Sequence, residues 1–366
     1  MAEPDPQLRP FEDRHDRVQP IHSIQVLRAL AAFMVAVHHV QPDAAIVAMH
    51  AGLSFTRSDV LPWMAGVDIF FVVSGFIMVH ASQDLFGRRG AGWSFLKRRL
   101  ARIVPLYWAM TTLFLLVGFA VPAVLNSGAP SLGQVLASYL FWPAVSTQGL
   151  VQPVYSLGWT LNYEMLFYVL FAAGLLLPAR WTLPAVGLVL ALLVGADSLH
   201  GPLPLPFAFW GQPIVLEFAA GMGIAVLRRK GLRLHGALRV AVAAAGVAVL
   251  LVAAQMPGAD GGWSAVLWRG GAALLLVLAA ACGRERAVPA ALPVRALAAV
   301  GDASYALYLV HPFVIRGLRE VMLRAGLASP VLYIALALGG AVLAAVLLYR
   351  CFERPATRLL RRWLGG

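Results

Sequence analysis

Ten apolar runs, each of roughly 17 to 21 residues, dominate the chain and limit what it can fold into. They lie near 24–42, 63–80, 103–122, 157–177, 182–199, 212–227, 237–255, 263–281, 297–317 and 330–349. At about 1.5 Å of rise per residue, each run is long enough for one helical crossing of a bilayer core about 30 Å thick. A soluble domain would carry roughly a quarter charged residues. Here 13% are charged and 60% hydrophobic, with a mean hydropathy of +0.77. The expectation is an all-α, polytopic membrane helix bundle of about ten transmembrane helices. The fifth run is the weakest, because Pro184 and Asp197 interrupt it. The piece "VLASYLFWPA" at 135–144 is too short to span and reads as interfacial or re-entrant.

The basic residues set the orientation. If both termini are cytoplasmic, the segments 1–23, 81–102, 178–181, 228–236, 282–296 and 350–366, with Arg28 and Arg239 at helix ends, hold 24 of the 29 Lys and Arg residues. That is the positive-inside asymmetry. It accounts for the net charge of +12 through contact with anionic headgroups of the lipid bilayer, so no nucleic-acid partner is expected. The chain divides into a polar N-terminal segment 1–23, a membrane domain 24–349 and a basic tail 350–366. Residues 1–20 lack an apolar stretch, so no cleavable signal peptide is expected. Cys282 and Cys351 offer neither a disulfide framework nor a metal spacing, and no metal is expected.

Ionisable residues inside apolar runs are costly unless they are paired or face water. The first run, "LRALAAFMVAVHHV" at 27–40, carries Arg28, His38 and His39. Arg28 and His39, 11 residues apart, share a face about 16 Å apart along the axis, whereas His38 points about 80° away from Arg28. Counting from run ends puts His39, Asp68, Glu164, Glu217, Arg269 and His311 at one depth on six runs, as if around a wet cavity. The spacing in "HHVQPD" also fits an H-x4-D acyltransferase pattern, which Pro42 is expected to disrupt by breaking the helix. Before the third run, "FLKRRLARIVPLYW" at 95–108 sets Arg99 and Arg102 as helical i,i+3 neighbours. Two guanidiniums on one face suit a phosphate, and a stop-transfer anchor explains the same residues equally well.

The blocks "LRALAAFMVAVHHV", "GVDIFFVVSGFIM" (66–78), "FLKRRLARIVPLYW", "SLGWTLNYEMLFYVLF" (156–171) and "GDASYALYLVHPFVI" (301–315) follow one another in order. Together they resemble the integral-membrane acyltransferase 3 family, in its exopolysaccharide acetyltransferase branch. The resemblance implies transfer of an acyl group, usually acetyl, from cytoplasmic acyl-CoA to a sugar hydroxyl on a surface polysaccharide or a lipid-linked oligosaccharide precursor. It implies a multi-pass protein of the bacterial inner membrane, working beside exopolysaccharide synthesis proteins. The first-helix Arg and His of the family match Arg28 and His39, and its R-x-x-R motif falls on Arg99 and Arg102. Of the two acids in a family block, "NYEMLFY" keeps only Glu164. No esterase-like domain, which some members carry, is seen in the sequence.

Ester formation at a hydroxyl needs a base, an oxyanion stabiliser and a positioned thioester. His39 is the expected base, with Glu164 or Asp68 orienting it. Arg269 and His311 are candidate oxyanion or acceptor contacts. Arg28, Arg99 and Arg102 are expected to hold acyl-CoA, which is a co-substrate and not a bound cofactor. A transporter or flippase for a glycan or small solute is the rival reading, because polar residues at mid-membrane depth also mark transport paths.

Overall fold

The structure, a computed structural model, describes residues 21–121, 129–201, 203–256, 258, 261–283 and 291–364. The N-terminal segment 1–23 therefore lies almost wholly outside the described residues, as does part of the loop 282–296. Among the described residues, all regular structure is helical, apart from two isolated bridges.

Each of the ten apolar runs is helical. The elements are α1 (His22–His50), α2 (Ala65–Ala81), α3 (Ala91–Ala120), α4 (Leu132–Tyr139), α5 (Trp159–Gly174), α6 (Ala179–His200), α7 (Leu216–Arg229) and α8 (Gly236–Ala253). They continue with α9 (Gly262–Ala281), α10 (Leu292–Asp302), α11 (Ser304–Arg324) and α12 (Pro330–Trp363). Six are long and apolar enough to cross a membrane, and seven if α10 and α11, bent by 73° at their junction, count as one span. Helix α2 is apolar but shorter.

Two expectations about proline need correction. Pro42 does not break α1, which continues to His50. A proline removes only the bond its own nitrogen would have made, here to the carbonyl of His38, and membrane helices tolerate that loss. Pro184 likewise sits inside a continuous α6. The short piece at 135–144 is α4 plus a turn, its N-terminus capped by the Ser131 hydroxyl accepting from Gln134 N at 3.1 Å.

The core lies among α2, α5 and α7, where Phe218 stacks between Phe71 at 4.7 Å and Phe167 at 4.5 Å. Helices α2 and α7 touch backbone to backbone. A Cβ on Gly75 would strike the Phe218 carbonyl, and one on Gly221 the Val72 carbonyl. Small residues at a helix crossing permit this approach, which carries dispersion energy that lipid cannot supply. Helix α8 and the first part of α12, Pro330–Leu348, are apolar on nearly every side and mostly exposed. Leu251, Val247, Leu343 and Leu347 face outward, as a bilayer-contacting rim requires.

Candidate active site

The ionisable residues expected at one depth fall into three separate groups. Helix lengths explain the split. Helix α3 begins at Ala91, not at 103 where its apolar run begins, so Arg99 and Arg102 ride within it and reach inward. Helix α5 enters from the opposite side and carries Glu164 toward them.

The first group lines a cavity of about 120 Å³, room for several water molecules or a slender chain. Arg28, Ser74, Arg99, Arg102, Glu164 and Tyr168 stand in its wall. Glu164 accepts from Ser74 Oγ at 3.1 Å and from the Tyr168 hydroxyl. Arg28 donates to Gln25 Oε1 at 2.9 Å, and Arg99 lies over the Phe95 ring at 5.5 Å. Two further carboxylates reach this group. Buried Glu353, in the π-turn near the end of α12, lies in the field of Arg102 and Arg28, and Asp302 faces the same two arginines. Sequence reading missed both, because they follow an apolar run or close a short helix. Tyr168 had a signal, its i,i+4 spacing from Glu164 within "NYEMLFY".

The second group is the histidine pair. His39 and His311 have ring centroids 5.0 Å apart. His39 Nδ1 lies 2.9 Å from the Val35 carbonyl, and His311 Nδ1 lies 3.0 Å from that of Leu307. A carbonyl only accepts, so both Nδ1 atoms carry the hydrogen and both Nε2 atoms keep a lone pair. His311 is fully buried, and among the described residues its Nε2 has no hydrogen-bond partner. An imidazole in that state accepts rather than donates. The expected oxyanion role for His311 thus requires a protonated ring, and the geometry presented is that of a base. His38 is exposed, with its ring 5.1 Å from His39. Among the described residues no carboxylate touches His39; its orienter is the Val35 carbonyl. The cation in its field is Arg316.

The bend between α10 and α11 aims "SYALYLVHP" at these two groups. Tyr305, Tyr308 and His311, each three residues apart, share one face of α11. Tyr305 donates to the Ile103 carbonyl at 2.9 Å and Tyr308 to the Leu157 carbonyl at 3.0 Å. Both tyrosines line the cavity, and the Tyr308 ring stands 6.3 Å from that of His311. Tyr308 thus stands between the arginine cavity and His311, and neither histidine lines the cavity itself.

The third group is Asp68, Glu217 and Arg269. Arg269 Nε pairs with Asp68 Oδ2 at 3.3 Å, and Glu217 is in the field of both. All three are buried, and Arg269 sits in a π-turn of α9. The structure does not bring Asp68 or Arg269 to His39. Asp43, in the "HHVQPD" pattern, is held by Arg319 at 2.6 Å.

Among the described residues, no three His, Cys, Asp or Glu side chains converge as metal ligands.

A helical membrane bundle with an arginine-lined cavity abutting paired imidazoles is suited to group transfer from an anionic carrier. The chain matches the acyltransferase 3 family model, described as an acyltransferase domain, over residues 21–350, and belongs to that family. It is 37% identical to the exopolysaccharide production protein ExoZ of Rhizobium meliloti (strain 1021), over 81% of this chain and 90% of that one. It is 28% identical to the acyltransferase MdmB of Streptomyces mycarofaciens, over 94% of each chain. A third relative, protein 2 in the picA locus of Rhizobium radiobacter, is 29% identical over 47% of this chain and 78% of that one. No solved structure matches.

Proposed function

We propose that this acyltransferase moves an acyl group, acetyl in the first instance, from cytoplasmic acyl-CoA to a sugar hydroxyl of an exopolysaccharide or its lipid-linked precursor. The observation that carries this reading is the nearness of the arginine cavity to the histidine pair, with Tyr308 between them. Arg28, Arg99 and Arg102 mark an entrance for a phosphate-bearing donor, and Tyr308 connects the cavity wall to His311 and His39. Ten membrane crossings with both termini cytoplasmic put the arginine end inward and the histidine end outward, in a bacterial inner membrane. The printed name of the rhizobial relative supports a polysaccharide acceptor.

In the proposed reaction, His39 Nε2 removes the hydroxyl proton as the alcohol oxygen attacks the thioester carbonyl. The C–O bond forms, the C–S bond breaks, and the proton passes from His39 to the departing CoA thiolate. The Val35 carbonyl holds the His39 tautomer throughout. Arg316 is the cation available to the oxyanion, in place of Arg269, which is tied to Asp68. Glu164 acts at a distance from the histidines, setting the position of the cavity arginines.

The test compares O-acyl proton NMR signals of the surface polysaccharide from a gene deletion complemented with wild type or His39→Ala. Acyl signals restored by wild type alone support transfer through His39, with a loss of about a thousandfold or more in rate, as expected on removing a base that also carries the proton. Acylation unchanged in the deletion overturns the reading. Export lost while residual polymer stays acylated would favour a transporter.

A further inference from the structure

Helix α11 starts inside the protein. It follows α10 after a 73° bend at Ala303, and Gly301, Ala303, Ser304 and Ala306 around the bend are all buried. Its N-terminus carries no side-chain cap, and its first backbone bond runs from Leu307 N to the Ala303 carbonyl at 2.9 Å. The amides of Ser304, Tyr305 and Ala306 precede that bond and stand outside the helical ladder. Ser304 is 0% exposed, and among the described residues its Oγ has no hydrogen-bond partner. A buried helix start and a buried hydroxyl left without partners each cost free energy that a purely structural joint would recover.

These groups meet the arginine cavity. Ser304 and Tyr305 stand in its wall with Arg28 and Arg102. Contacts on two sides set the helix start beside both guanidiniums. A Cβ on Gly301 would strike the Gln25 backbone, so α10 ends against the turn of α1 in which Gln25 Oε1 accepts from Arg28 at 2.9 Å. The Tyr305 hydroxyl donates to the carbonyl of Ile103, the residue after Arg102, at 2.9 Å. Carboxylates are near as well: Asp302 and Glu353 lie in the field of Arg28 and Arg102, and Glu164 is tied to Ser74 and Tyr168. None of the three bonds to Ser304 Oγ. Free amides at the positive end of a 21-residue helix, a hydroxyl donor and two guanidiniums all favour the same guest, an anion with several oxygens.

We propose that Ser304 Oγ and the first amides of α11 form a phosphate subsite, where a diphosphate oxygen of the nucleotide thioester is held together with Arg28 and Arg102. Ser304 binds the donor and takes no part in the bond changes. The inference rests on the acyl-CoA reading above and names the part of the donor that this end of the cavity holds. A phospholipid phosphate presents the same chemistry, and the experiment separates the two sources.

Full-length protein in nanodiscs would be titrated calorimetrically with CoA and with pantetheine, the same thiol arm without phosphates, in discs of neutral lipid and in discs containing phosphatidylglycerol. Ser304→Ala is expected to weaken CoA binding about tenfold, the loss of one hydrogen bond to a charged oxygen, and to leave pantetheine binding unchanged. Thermal unfolding of the empty variant should match or exceed that of wild type, because the hydroxyl has no protein partner to lose. The CoA loss should be present in neutral discs. Equal CoA affinity in wild type and Ser304→Ala overturns the proposal and leaves the donor reading standing. An equal loss with pantetheine assigns the hydroxyl to the thiol arm and overturns the phosphate subsite. A loss confined to discs with phosphatidylglycerol assigns it to a headgroup and overturns the proposal. A wild type that binds no CoA overturns the donor reading, and the proposal with it. Should Ser304→Ala fail to fold, Ser304→Cys, close in volume and with a weakly donating thiol, decides by the same comparison.

Discussion

Arginine meets carboxylate in two places inside this bundle, and the two are built differently. Around Arg269, the guanidinium touches Asp68 at 3.3 Å with Glu217 alongside, and all three side chains are closed off by α2, α7 and α9. Around Arg28, Arg99 and Arg102, the charges line an empty volume, and their carboxylates act across it or from its edge. The first arrangement leaves no room for a ligand. The second leaves its arginines beside a void, with their carboxylates acting from a distance. Enclosure is what distinguishes a polar joint between helices from a binding surface.

The largest effect expected from this contrast is on folding. Arg269→Ala strands two buried carboxyls without their cation and should destabilise the protein by about 3–5 kcal/mol, the usual cost of breaking a buried pair from one side. Denaturant unfolding of the purified protein in detergent measures it. The triple replacement Asp68→Leu, Glu217→Gln, Arg269→Met removes the whole cluster and should regain most of that loss. Full stability with activity abolished in the triple variant would show that the cluster belongs to the chemistry and would break the comparison.

A different signature is expected at the cavity. Arg99→Ala removes a guanidinium from the Phe95 ring and from the field of Glu164, worth about 1 kcal/mol of stability or less. Its KM for acyl-CoA should rise about tenfold while kcat changes little, the mark of binding shared by ground and transition states. A stability loss as large as that of Arg269→Ala would mean that the cavity arginines are glue as well.

Much of this division is hidden from the sequence for a definite reason. Helical periodicity put Arg28 and His39 on one side of α1, and the i,i+3 spacing paired Arg99 with Arg102; the structure keeps both relations. Membership of the acyltransferase family was legible from the ordered blocks. What failed was the convergence of six residues on one cavity, inferred from depth. Depth was counted from the ends of apolar runs, and α3 starts twelve residues before its run, 91 against 103, while α1 continues eight residues past its own, 50 against 42. Those extensions carry Arg99 inward to meet Glu164 and separate Glu164 from His39. Asp68 found Arg269, not a histidine, because α2 packs against α7 and α9, which set Glu217 and Arg269 beside it. Partner choice across three helices depends on their rotation about their own axes, which hydropathy does not encode. Glu353 was invisible for a related reason: it follows the last apolar run, and only the π-turn at Tyr349–Glu353 brings it under the bundle.

The smallest expected effect comes from the same pair of residue types placed in water. Arg324 Nη2 and Glu320 Oε1 are 2.8 Å apart at the end of α11, a shorter contact than the one between Arg269 and Asp68, yet their side chains are 78% and 51% exposed. The spacing is i,i+4 with the acid first, the favourable order on a helix. Water and salt screen the attraction, and ordering two mobile side chains offsets most of the rest. Arg324→Ala should therefore change unfolding stability by less than about 0.5 kcal/mol, with any difference vanishing in 0.5 M salt, a concentration at which the screening length is only about 4 Å. Denaturant unfolding at two salt concentrations reads this directly. A loss approaching that of Arg269→Ala would show that contact distance, and not enclosure, sets the worth of these pairs, and the distinction between sealed joint and open site would have to be drawn on other grounds.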